Sequence, residues 1–260
     1  MSDPISPAPI FPDLKGQSVF ITGGGSGIGA ALTEAFLRQG CKVAFCQRSD
    51  ATAFCDTMEQ ATGNRPLFLP CDITLVDQLQ LTLSTAARVH GPITVLVNNA
   101  ANDQRHNTLT VDESFWDWSM AINLKAYFFA CQAVIPGMTA AGGGSIINFT
   151  SISYMMPDVG YAAYITANSG INGMTRTLSR EFGKHRVRVN ALAPGWVLTE
   201  KQKQLWATPE ALAAHLAKQS LNEALAPEDI TGGVLFLASS ASRMMTGQAM
   251  VIDGGMVVTG

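Results

Sequence analysis

The run Ser18-Val19-Phe20-Ile21-Thr22-Gly23-Gly24-Gly25-Ser26-Gly27-Ile28-Gly29-Ala30-Ala31-Leu32 decides the fold. Its first five residues read as a short strand whose apolar character suits burial on both faces. Beyond the glycines, Ile28, Ala31, Leu32, Ala35 and Phe36 fall on one face of a helix that stops at Gly40. Glycine between a strand and a helix permits a tight turn and lets backbone N–H groups come close to a ligand. The positive end of the helix dipole then favours an anion. A glycine cluster alone says little, but one in this context predicts a cradle for a pyrophosphate at Gly23, Gly25, Ser26, Gly27 and Ile28.

Outward from that turn, short β-rich runs alternate with longer helical stretches, which predicts βαβ units and a parallel sheet. The expected strands are 18–22, 42–46, 66–70, 94–98, 145–150, 188–192 and 250–252. A second clear helix is expected over about 161–182, with Ile171, Met174 and Leu178 on its apolar stripe. Gly142, Gly143 and Gly144 read as a turn, because a strong strand follows at once. Residues from Thr199 to about Leu225 read as one or two helices that form a mobile flap. The fold class is therefore α/β, a doubly wound parallel sheet of Rossmann type in a single domain over residues 14–260. Residues 1–13, with four prolines, are expected to be a flexible tail.

Hydrophobic residues at 47% and charged residues at 14% describe a chain with a large core. A net charge of −3 gives no electrostatic reason to bind nucleic acid or an anionic membrane. No stretch approaches the roughly 18 apolar residues of a membrane span, and the start lacks the pattern of a signal peptide. The five cysteines form no CxxC pair and no cluster at metal-ligand spacing, so no metal is expected. They read as reduced, mostly buried thiols of a cytoplasmic protein.

The spacing TGxxxGxG at 22–29 resembles the fingerprint of the short-chain dehydrogenase/reductase family. Asn98, Asn99 and Ala100 resemble that family's NNAG motif, with Ala101 in place of the glycine. Pro194, Gly195, Val197 and Thr199 resemble its PGxVxT nicotinamide segment, and Ile252, Asp253, Gly254 and Gly255 its terminal VDGG. The resemblance spans about residues 14 to 255 and implies a nicotinamide-dependent enzyme and a homotetramer. A carboxylate at the end of the second strand ordinarily binds the adenosine ribose. Gln47 stands there with Arg48 next, which favours NADP, because a guanidinium grips phosphate in a bidentate, charge-assisted way; Gln47 also tolerates NAD. Asp72 and Ile73 match the adenine-contacting pair, and Asp72 also reads as the N-cap of the helix that follows.

The family reaction uses a tyrosine acid/base, a serine on the substrate oxygen, a lysine that lowers the tyrosine pKa and grips the nicotinamide ribose, and an asparagine in a proton relay. Tyr164 matches the tyrosine, Ser151 thirteen residues upstream the serine, and Asn123 the asparagine. The lysine should stand four residues after Tyr164 on the same helix face, but the chain has Asn168 there. A phenol with a pKa near 10 and no adjacent cation supplies little phenolate at neutral pH. Asparagine can still bond a ribose hydroxyl, yet it carries no charge. Three explanations present themselves: an inactivated variant, a natural enzyme with an altered relay, and a pseudoenzyme. The intact surroundings favour the first.

Residues 102–106, 147–154 and 199–206 resemble bacterial aldose dehydrogenases, which implies oxidation of a sugar at its anomeric carbon to a lactone. A polyol needs many hydrogen-bond partners, and Asn102, Gln104, Arg105, His106, Ser151, Ser153, Tyr154, Tyr164 and Trp196 are the expected ones. Two alternatives stand beside this reading: a dehydrogenase of a keto-deoxy sugar acid, and a catalytically silent dinucleotide-binding regulator.

Overall fold

The structure, a computed structural model, describes residues 9–258. Seven parallel strands, β1 (Ser18–Thr22), β2 (Lys42–Gln47), β3 (Leu67–Pro70), β4 (Val95–Asn98), β5 (Gly144–Phe149), β6 (Val187–Pro194) and β7 (Ala249–Ile252), pair in the order β3-β2-β1-β4-β5-β6-β7. Each expected strand is present within two residues at either end. The helices are α1 (Gly27–Arg38), α2 (Thr52–Thr62), α3 (Val76–His90), α4 (Glu113–Met120), α5 (Ala126–Ala140), α6 (Ala162–Phe182), α7 (Glu200–Leu205), α8 (Pro209–Leu216) and α9 (Pro227–Ala238). The expected flap is thus α7, α8 and the loop after them.

The period-two geometry of the strands divides the core between the two faces of the sheet. In β1, Val19 and Ile21 pack with Leu32 and Phe36 of α1 and Val234 and Leu235 of α9. Phe20 points the other way, toward Leu79 and Leu83 of α3 and Ala130 and Cys131 of α5. Every residue of β1 is buried, so a period-two apolar/polar alternation is absent and the run reads as continuously apolar. A large side chain such as Phe20 contributes about 2–3 kcal/mol by leaving water. All five cysteines are free and buried.

Strand order reverses between β1 and β4, so the loops after these two strands diverge and leave a crevice at the carboxyl edge of the sheet. Beneath that edge runs a buried polar seam. Asn98 Nδ2 donates to Asn148 Oδ1 at 2.9 Å, and Asn148 Nδ2 donates to Thr175 Oγ1 at 3.1 Å, which ties β4, β5 and α6 together.

Of the expected tail, residues 1–8 lie outside the described residues. From Pro9 the chain is held: Gln39 Nε2 donates to the Pro9 carbonyl at 3.0 Å, Phe11 N donates to Gln39 Oε1 at 2.8 Å, and Leu14 is buried. The apolar Phe11 and Leu14 dock on the α1 side of the core. Among the described residues, no helix is long and apolar enough to cross a membrane.

Replacing Asn148 by alanine removes the partner of both Asn98 Nδ2 and Thr175. We expect a loss of about 2–3 kcal/mol, read as a lower urea midpoint at constant m value. An unchanged midpoint contradicts the structural role of the seam.

Candidate active site

The glycine turn is shaped by contacts that exclude side chains. A Cβ on Gly29 would lie 1.9 Å from the Gly23 carbonyl oxygen, and one on Gly24 would lie 2.4 Å from Phe45 Cβ. Gly23 and Gly27 adopt φ of 71° and 53°, which glycine reaches without strain. Asn99 braces the turn by donating its Nδ2 to the Thr22 and Gly23 carbonyls at 3.0 and 3.2 Å. Ser26 precedes α1 with no side-chain cap hydrogen bond, which leaves the first N–H groups of the helix for a ligand. This cradle fits a pyrophosphate.

Gln47 joins the end of β2 to the glycine turn. Its Oε1 accepts from Gly25 N at 3.0 Å, while its Nε2 donates to the Ser49 carbonyl at 3.1 Å. Gln47 therefore sets the turn as well as the end of β2. Arg48 beside it is exposed and in no ion pair among the described residues. Asp72 does not cap α3: it accepts from Thr74 N and Oγ1 at 3.0 and 2.7 Å, and the residue before α3 is Leu75. Burial pushes its carboxyl up, but the Thr74 hydrogen bonds and the Arg48 guanidinium outweigh that and leave it below its ordinary value. Ile73 is buried.

A cleft of about 600 Å³ opens at the carboxyl edge of the sheet. Ile28 of the cradle, Ser151 and Ser153 after β5, Tyr164 on α6, the segment Pro194, Gly195, Trp196, Val197 and Thr199 after β6, and Arg105 all line it. Thr199 approaches Gly27 so closely that a Cβ there would lie 3.1 Å from its Cγ2, which joins the β6 segment to the cradle. Tyr164 stacks on Tyr161 with ring centroids 5.6 Å apart, and the Arg105 guanidinium lies 3.6 Å above the Tyr161 ring.

Asn123 is the middle residue of a π-helical turn over Ala121–Lys125 between α4 and α5. Its side chain clamps the loop after β4: Oδ1 accepts from Asn102 N at 2.8 Å and Nδ2 donates to the Asn102 carbonyl at 3.0 Å. Asn168 is buried, does not line the cleft, and turns its amide back to the Tyr164 carbonyl at 2.8 Å. Burial pushes the half-buried Tyr164 phenol up to about 12; the Asp103 carboxylate adds to this, and the polar groups of Asn168 and Ser151 pull against it.

Several expected contacts lie elsewhere. Asn98 faces the core against Tyr127 and Cys131, as part of the polar seam, while Ala100 N donates to Thr22 Oγ1 at 3.0 Å behind the turn. His106 accepts from Ala163 N at 3.3 Å and packs tilted against the Phe115 ring, so it caps α6 and does not line the cleft. Tyr154 does not line the cleft either, and the charge of Arg176 acts on it. Gln104 is exposed outside the cleft, and Asn102 contributes backbone through the Asn123 clamp. The sequence reading missed Asp103, Lys201 and Gln202. Asp103 accepts from Lys201 Nζ at 3.0 Å and Gln202 Nε2 at 2.8 Å, and Gln202 Oε1 accepts from Trp196 Nε1 at 2.9 Å. This latch holds α7 over the cleft. Burial raises the Asp103 carboxyl, but the Lys201 and Gln202 hydrogen bonds outweigh it and keep it below its ordinary value.

A profile of short-chain dehydrogenases, described as enoyl-(acyl carrier protein) reductase, matches residues 23–257. The chain belongs to the short-chain dehydrogenase/reductase family. Within it, a probable galactose dehydrogenase of Rhizobium meliloti is 45% identical over 96% of this chain and 98% of that protein. A D-xylose 1-dehydrogenase of Caulobacter vibrioides is 42% identical over 95% of this chain and 98% of that protein. A crystal structure described as a short-chain alcohol dehydrogenase of Sinorhizobium meliloti superposes with a TM-score of 0.90 at 32% identity, covering 95% of this chain and 98% of the other.

The burial of Tyr164 gives a spectroscopic expectation. The ultraviolet ionisation difference between the parent and Tyr164→Phe should stay flat from pH 7 to 11, because a phenol with a pKa about 12 remains protonated there. A step centred near pH 10 or below contradicts the geometry.

Proposed function

We propose that this short-chain dehydrogenase/reductase oxidises an aldose at its hemiacetal carbon to the lactone, with NADP preferred over NAD, and that Asn168 slows it. The observation that carries the reading is the convergence of Ser151 and Tyr164 on a cleft whose opposite wall runs through Thr199 into the glycine cradle. Names of relatives matching over nearly the whole length supply the substrate class.

The dinucleotide, held in the cradle by Gly23, Gly25, Ser26, Gly27 and Ile28, would accept the hydride. Gln47 presents no carboxylate to repel a 2′-phosphate, and the exposed Arg48 guanidinium would bind one. Asp72, Ile73, Pro194, Gly195, Val197 and Thr199 complete the proposed cofactor contacts. Ser151 Oγ donates to the substrate oxygen. Tyr164 accepts the hydroxyl proton, and with a pKa about 12 only about one molecule in 10⁵ carries the phenolate at pH 7. A hemiacetal hydroxyl loses its proton more easily than an ordinary alcohol, because the ring oxygen withdraws electron density. It therefore demands least from a weak base, which fits an aldose to this site. Asn168, which bonds a backbone carbonyl and carries no charge, offers Tyr164 no cation.

A second reading, a silent dinucleotide-binding regulator, draws on Asn168 alone. The two separate on Asn168→Lys: the oxidation reading expects the rate at pH 7 to rise by roughly 10²–10⁴-fold, and an unchanged rate removes it. In the parent, the base is the ionised phenol, so the rate should climb about tenfold per pH unit toward pH 12; a plateau near neutrality contradicts this. Fluorescence titration should give a lower Kd for NADP than for NAD, and Arg48→Ala should erase that difference. Tighter binding of NAD by the parent removes the NADP preference.

A further inference from the structure

The cleft holds an ionised group that the proposed hydride and proton transfers leave without a part. Asp103 lines the same cavity as Ser151 and Tyr164, with its side chain 21% exposed. An ionised carboxylate only accepts hydrogen bonds, at about four lone-pair sites. Two are occupied, Oδ1 by Lys201 Nζ at 3.0 Å and Oδ2 by Gln202 Nε2 at 2.8 Å. The other acidic residue of the wall, Asp158, takes the Tyr161 hydroxyl at 2.7 Å. On the same wall Ser153 Oγ is buried with no partner, so the Asp103 carboxylate is the acceptor with sites left open to the cleft.

We propose that Asp103 accepts a hydrogen bond from the substrate hydroxyl next to the reacting carbon and so selects polyols over simple alcohols. The inference rests on the aldose reading and deepens it. Asp103 follows Asn102, whose two backbone groups Asn123 clamps, and this fixes the carboxylate on the cleft that Ser151 and Tyr164 line. There it also opposes the positive charge that builds on a carbon losing hydride. Gln202 holds the carboxylate in line through Oδ2, while Lys201 ties it to α7 by the ion pair.

The competing account makes Asp103 a latch for the lid and nothing more, and Lys201→Met tests it by breaking the ion pair while leaving the carboxylate in place. Calorimetric titration of the NADP-loaded protein with D-galactose and with 2-deoxy-D-galactose gives a preference ratio for each variant. A hydrogen bond to a charged group predicts a parent preference for D-galactose of roughly tenfold. Asp103→Asn should reduce the ratio to about twofold or less, whereas Lys201→Met should weaken both sugars alike and keep the ratio. A ratio retained in Asp103→Asn, or lost equally in Lys201→Met, overturns the assignment. A parent that binds both sugars with equal affinity removes the role of Asp103 alone. A parent that binds neither removes the aldose reading and this inference with it.

Discussion

Between the carbonyl oxygen of Gly23 and the α-carbon of Gly29 there is no space for a methyl group, since a Cβ would sit 1.9 Å from that oxygen. The rest of the site depends on this closeness. It brings the end of β1 against the first turn of α1, so that the N–H groups of the helix start face the crevice at the reversal of strand order. The same approach leaves room for Asn99 to bridge the Thr22 and Gly23 carbonyls, which fixes the loop after β4 relative to the loop after β1. Thr199, against Gly27, adds the end of β6 to that frame. Three loops from distant parts of the chain are thereby held in one register before any ligand arrives.

The opposite side of the cleft is built on a different principle, burial of polar groups with partners. Asn123 at the π-helical turn grips both backbone groups of Asn102, and Asp103 one residue later grips the lid. Tyr164 stands among these groups without a cation, pushed up by burial and by the carboxylate. A lysine at 168 would offset both effects. With asparagine there the amide instead satisfies a helix carbonyl, and the electrostatic balance of the site is left on the acidic side.

The inner strands β1 and β4 were legible because full burial on both faces writes continuous apolar runs, and the error of one or two residues at strand ends reflects fraying that no side-chain pattern records. The cradle was legible for a related reason: only glycine suits its backbone, so the constraint is written in residue identity. His106 was hard to place because a polar ring on a loop reads the same whether it meets a substrate or caps a helix, and only the path of the chain separates the two. Asn98 misled likewise, since within a strand its side chain turns to the core and not to the crevice. Asp103 was missed because its partners lie 98 and 99 residues away, a separation at which sequence spacing carries no signal.

The central claim is that the glycine cradle and Tyr164 act on one substrate across one cleft. Incubating an aldose deuterated at its anomeric carbon with NADP and this protein, under single-turnover conditions, tests it most directly. The account predicts deuterium on the nicotinamide ring by mass spectrometry, slowly in the parent and faster in Asn168→Lys. Cofactor that stays unlabelled in both proteins, at sugar concentrations that saturate binding, contradicts it.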